Sequence, residues 1–168
     1  MFVLGIDPGL SRCGYGVVQL DGRRPVARAI GVLRTPPSAS TPQRLAGLQL
    51  ELRSLIAEFS PSVVAIERVF FQVNASTAIG VAQAAGLAMA EGAAAGADVV
   101  EYTPNQVKEA VAGWGAASKD QMQRMVQSLL GLASPPRPAD AADAVAVALC
   151  HIAHAPSRAA ARAAGVAL

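Results

Sequence analysis

Four carboxylates stand out by type and position: Asp7, Glu67, Asp140 and Asp143. Asp7 closes the apolar run FVLGI and precedes the turn signal Pro8-Gly9; Glu67 closes SVVAI. Parallel strands tend to present ligand sites at their carboxyl ends. Asp140 and Asp143 stand three apart on a predicted helix, which puts both on one face. The AVAVAL that follows is the part of that helix to bury. If strands one and four are parallel neighbours and the helix crosses their ends, the four side chains converge. Convergent like charges raise one another's pKa. Hard divalent cations such as Mg²⁺ or Mn²⁺ relieve the repulsion. Two of them ~3.5–4 Å apart can activate a water and stabilise a leaving 3′ oxygen, which is phosphodiester hydrolysis. Each residue also has an ordinary reading: Asp7 as a turn residue, Glu67 as a solvated strand end, Asp140 as a first-turn helix carboxylate. Asp143, followed by six apolar residues, is the hardest to read that way.

The elements that would position these groups follow from pattern. Strands are expected at 2–6, 14–20 and 26–33, with Asp21-Gly22 as the turn between the second and third. Leu45, Leu48, Leu52, Leu55, Ile56 and Phe59 recur at helical spacing, so a helix is expected over 42–59, stopped by Pro61. A fourth strand at 62–66 precedes an Ala/Gly-rich segment over 74–96 that reads as one helix, with Gly86 as a candidate break. A fifth strand spans 98–102. Pro104 opens a helix over 104–112 in the favourable first-turn position. Ser118 is an expected N-cap for a helix through Leu130. The last helix is expected over 138–154. The order βββαβαβαα indicates an α/β fold, a mixed five-stranded sheet flanked by helices. One domain is expected over 1–155, with 156–168 as a flexible tail.

Charge supports an anionic partner. The chain of 168 residues has fourteen basic and twelve acidic residues. If four carboxylates share one site, the remainder holds fourteen basic against eight acidic ones, or +6 around an acidic pocket. A nuclease needs that distribution, with metals at the carboxylates and cations along the strand. No run of about 18 uncharged apolar residues occurs, which excludes a membrane-spanning helix. MFVLGIDPG has no signal-peptide character, and Cys13 and Cys150 form no metal-like motif, so a reduced cytoplasmic protein is expected. His151 and His154 in CHIAH are too few ligands for a zinc site. Gly5, Gly9, Gly14 and Gly16 make no GxGxxG fingerprint, and no P-loop motif or Ser/His triad occurs.

Three segments, GIDPGLSRCGYGVV, AIERVFFQVNASTAIGVAQAAG and PADAADAVAVALCH, resemble the RuvC family of Holliday junction resolvases. The likeness runs from residue 2 to about 154. It implies an RNase H-like fold and a homodimer that nicks two opposed strands of a four-way DNA junction symmetrically, in recombination and repair. The ends would carry 5′ phosphates and 3′ hydroxyls. Mg²⁺ is the implied cofactor, two ions per subunit, with Mn²⁺ able to substitute. The branch-migration complex RuvA–RuvB is the implied partner. The family's four acidic positions fall on Asp7, Glu67, Asp140 and Asp143; some relatives carry His where this chain has Asp140. Phe70 matches an aromatic that stacks near the junction crossover, with burial in the core as its ordinary reading. Arg68 stands where relatives often have Gln and could meet a phosphate. Lys108 and Lys119, the chain's two lysines, match basic residues near the scissile backbone. Arg44, Arg124 and Arg137 are secondary candidates, and Arg158 and Arg162 would bind without specificity. The Ala/Gly-rich helix at 74–90 matches the dimer region.

Two other readings stay open: another RNase H-like nuclease, including an RNA-processing one, and a non-catalytic nucleic-acid-binding protein that kept the fold. Cleavage of an RNA–DNA hybrid would favour the first, and failure to bind a divalent cation the second.

Overall fold

Phe2–Asp7 (β1) alternates into both faces of the central layer, with Val3, Leu4 and Ile6 fully buried. A strand buried on both faces reads as one apolar run, as this one does. The computed structural model describes residues 1–69 and 75–165, without the side chains of Ala75, Ser76 and Arg162. Antiparallel to β1 runs Arg12–Asp21 (β2), followed by Arg24–Arg34 (β3) through a turn at Gly22, whose φ is 58°. Thr41–Phe59 (α1) then leads to Val63–Glu67 (β4), parallel to β1 with Ile6 beside Ile66. Ala75–Ala94 (α2) leads to Asp98–Tyr102 (β5), parallel to β4. Pro104–Ala112 (α3), Lys119–Leu130 (α4) and Ala139–Ala163 (α5) complete the chain. Among the described residues the strands form one sheet in the order β3-β2-β1-β4-β5. It is a mixed five-stranded sheet flanked by helices, as expected.

The sheet separates two apolar layers. On one side Leu48, Leu52 and Ile56 of α1 and Ala84, Ala85 and Ala88 of α2 cover Leu4, Ile6 and Val64. On the other, α3, α4 and α5 cover Val3, Val18 and Ala65. Helix starts are set locally. Ser118 accepts from the Gln121 backbone N–H (3.2 Å), while Gln121 Oε1 accepts from the Ser118 N–H (2.9 Å). Thr103 and Gln106 make the same reciprocal pair at α3. Such a capping box satisfies two helix-end donors at once.

The α2 segment is the one helix expected and runs unbroken through Gly86, whose missing side chain faces open space. One expectation changes. The last helix does not end at 154; α5 continues past Pro156 to Ala163. A proline removes one helical hydrogen bond, and the alanines that follow have the highest helix propensity of any residue.

Candidate active site

Asp7 and Glu67 are the residues next after the paired Ile6 and Ile66, so they leave adjacent parallel strands side by side. The two carboxyl groups share a hydrogen bond. The first turn of α5 carries Asp140, and Asp143 follows on the same helix.

Glycines set how close α5 comes. A Cβ on Gly14, which faces Asp7 across the β1–β2 ladder, would fall 2.0 Å from the Asp140 carbonyl oxygen. One on Gly5 would fall 2.1 Å from the Ala144 carbonyl, and one on Gly16 would strike Val145. The helix backbone therefore lies directly on β1 and β2, which no side chain at these positions would allow. The glycine spacing, negative as a dinucleotide fingerprint, is a helix-docking surface, and sequence reasoning missed it. The available signal was small residues at alternate positions on one strand face.

The electrostatics match the expected crowding. Burial pushes the Asp7 carboxyl up to about 8, and the charges of Glu67, Asp143 and Asp140 add to this; Lys119 opposes it. Glu67 is raised by burial and by Asp143, with Lys119 and Lys108 opposing. Asp143 is raised by burial, with Lys119 again opposing and Asp140 adding. The hydrogen bond from Asp7 works against the rise at Glu67, which casts Asp7 as the donor of the pair.

Cations hold the two outer carboxylates. Lys119 Nζ lies 3.6 Å from Asp143 Oδ2 and is itself mostly exposed. Arg12 Nη2 lies 2.5 Å from Asp140 Oδ2, a contact that sequence reasoning missed. The two atoms are at ion-pair distance but not aligned as a hydrogen bond, so this buried oxygen has no hydrogen-bond partner. In this arrangement no three His, Cys, Asp or Glu side chains among the described residues stand in metal-coordinating proximity. The donor set nonetheless fits a hard divalent cation: carboxylate oxygens, three of the groups with raised pKa, and one buried oxygen without a hydrogen bond.

Beside the carboxylates a cavity of about 430 Å³ is lined by Glu67, Asp143, Lys108 and Lys119, with Ala117 and Ser118 forming part of its wall. Both lysines thus reach the site. Lys119 is the first residue of α4, where a cation opposes the helix dipole and Asp143 compensates it. Arg44 donates to Ser11 and Thr35 and lines a separate groove of about 640 Å³ between Gly9–Arg12, α1 and α2. Arg68 lies 3.9 Å from Glu101 and lines a groove with His154 and Arg158 instead of the carboxylate cavity. Arg124 is exposed on α4 and pairs with Asp120 at 2.9 Å. Phe70 lies outside the described residues. His151 is buried, with its Nδ1 3.0 Å from the Tyr102 hydroxyl.

Comparison with known proteins adds to this picture. Residues 3–151 match the family model described as "Crossover junction endodeoxyribonuclease RuvC". A protein of that name from Salinispora arenicola is 54% identical over 153 residues, covering 90% of this chain and 87% of the relative. The structure of Thermus thermophilus RuvC in complex with Holliday junction substrate superposes with a TM-score of 0.89 at 36% identity, covering 94% of this chain and 96% of that one. The yeast mitochondrial Holliday junction resolvase Ydc2, at 16% identity and a TM-score of 0.67, shares the fold.

Proposed function

The chain belongs to the RuvC family of crossover junction endodeoxyribonucleases, and from that premise we propose how its own residues resolve a Holliday junction. Enzymes of this family depend on a divalent metal. The observation that carries the reading is the pair Asp7 and Glu67 on adjacent strand ends, with Asp143 close enough to raise both and two lysines lining the neighbouring cavity.

Asp7, Glu67, Asp140 and Asp143 are the proposed ligands of two Mg²⁺ ions, with Mn²⁺ as substitute. When bound, the ions supply an activated water and charge stabilisation at the leaving 3′ oxygen. The protein's part is positional and electrostatic. β1 and β4 fix two carboxylates in register, and α5 brings the other two over the strand ends. Burial keeps bulk water from screening them. Lys108 and Lys119 hold the scissile phosphate beside the carboxylates and balance its charge. Arg44 tracks backbone phosphates along the groove between α1 and α2. Arg68, Phe70 and Arg124 are proposed as outer DNA contacts. Departure of the 3′ oxygen leaves a 5′ phosphate on the other end, so the products are ready for ligation.

One domain carries one such site, and a junction needs two opposed cuts. A homodimer on the outer face of α2 meets that need. Ile79 is 65% exposed there, and Gly86 faces open space. Residues 1–155 contain all four carboxylates and both lysines, so the nuclease domain is proposed to need no more than these, with 156–168 as an appendage. RuvA–RuvB is the proposed branch-migration partner, and the cytoplasm the proposed compartment. Among the described residues no helix is long and apolar enough to cross a membrane.

The test offers a mobile four-way junction, its arms as linear duplex, and an RNA–DNA hybrid, each with Mg²⁺. Paired nicks confined to the junction are expected. Comparable cleavage of duplex or hybrid would contradict junction selectivity.

A further inference from the structure

Between the two lysines of the site stands a residue with no part in the chemistry described so far. Trp114, the chain's one tryptophan, is 51% exposed. It follows Gly113, the C-cap of α3 at φ 82°, and precedes Gly115 in the short loop to α4. That loop is anchored at both ends. The Ala117 N–H donates to the Trp114 carbonyl (3.4 Å), and Ala117 is buried in the core beneath α3 and α4. Gly115 packs so close to α3 that a Cβ there would come within 3.3 Å of Glu109 Oε1. A built loop therefore holds a large aromatic out in water. Among the described residues the ring contacts are those of Tyr102 with His151 and His154, and none involves Trp114.

The far end of the same loop, Ala117 and Ser118, walls the cavity that holds Glu67, Asp143, Lys108 and Lys119. We propose that Trp114 is a stacking platform for an unpaired nucleobase of the strand whose phosphate lies between Lys108 and Lys119. Cations that track the backbone beside an aromatic that takes a base face are the means by which proteins hold single strands. Both of the chain's lysines lie on this one loop's flanks, which supplies the charge complement. The base must be unpaired, because a base within a duplex has both faces covered by its neighbours. An apolar protein partner would need a wider patch than the neighbours Gly113, Gly115, Ala116 and Ser118 provide. The inference rests on the nuclease reading, which is what brings a strand past this loop.

Because Trp114 is the sole tryptophan, native protein reports on it directly. In EDTA, where no strand is cut, a saturating four-way junction is expected to quench the tryptophan fluorescence. Linear duplex of the same arm sequence should leave it nearly unchanged. Trp114→Ala should weaken junction binding at least about fivefold. Its slope of log affinity against log salt should match wild type, since no phosphate contact is lost. The loss should fall on KM more than on kcat, and Trp114→Phe should recover most of it. Unchanged fluorescence on a saturating junction, or wild-type affinity in Trp114→Ala, would overturn the proposal. Failure of the nuclease reading looks different: wild-type protein would then leave the junction uncut in Mg²⁺.

Discussion

Replacing Asp7 with Asn should stabilise the metal-free protein increasingly as pH rises. Asp7 is raised from 3.8 to about 8, first by burial and then by Glu67, Asp143 and Asp140. Between those values the folded protein holds a proton that the unfolded chain has released. The group's contribution to stability is therefore fully present below about pH 4 and is lost as pH rises through about 8. Asparagine fills the same space and cannot ionise. At ~1.4 kcal/mol per pH unit, wild type should lose ~4 kcal/mol relative to Asp7→Asn between pH 5 and 8. Urea unfolding in EDTA at four pH values measures this, with the two proteins compared at each pH. Excess Mg²⁺ at pH 8 should narrow or reverse the order, because a cation that binds ionised Asp7 stabilises only the folded wild type. Parallel pH curves for the two proteins would refute the claim that Asp7 is held in a crowded, poorly solvated site.

Four further variants have expected outcomes. Asp143→Asn should abolish junction cleavage while leaving junction affinity in EDTA within a few-fold, read by gel shift and strand mapping; retained nicking would remove Asp143 from the metal set. Lys119→Ala should reduce the salt slope of junction binding by about 1, since one phosphate contact is lost, and should raise the Asp143 pKa further by removing its opposing charge. Gly14→Ala should destabilise by ~1–3 kcal/mol, because the added methyl meets helix backbone that has nowhere to move. Gly47→Ala, in α1 with open space around it, should instead stabilise by ~0.5–1 kcal/mol, both glycine variants being read by urea unfolding against wild type.

The parts legible in the sequence were those fixed by local pattern. FVLGI-Asp and VVAI-Glu end where their apolar runs end, so both strand-end carboxylates could be named and paired. Ser118 and Pro104 mark helix starts, because a short polar cap satisfies backbone donors and a proline suits the first turn whatever the rest of the chain does. Contacts between distant segments were not legible. Arg12 meets Asp140 across more than a hundred residues, and nothing near either one signals it. Gly5, Gly14 and Gly16 are explained only once α5 is seen lying on them. The α5 extension was missed because apolar bulk was the criterion, whereas alanine propensity is what carries that helix past Pro156.

Four crowded carboxylates, balanced only in part by Arg12 and Lys119, form a cation site that Asp7 completes when it gives up its proton. Mn²⁺ titrated into the protein and followed by electron paramagnetic resonance tests it directly. Wild type should bind Mn²⁺ more tightly as pH rises from 6 to 8, as Asp7 gives up its proton, and Asp7→Asn should lose most of that binding. Mn²⁺ binding that is independent of pH and equal in Asp7→Asn would contradict the account.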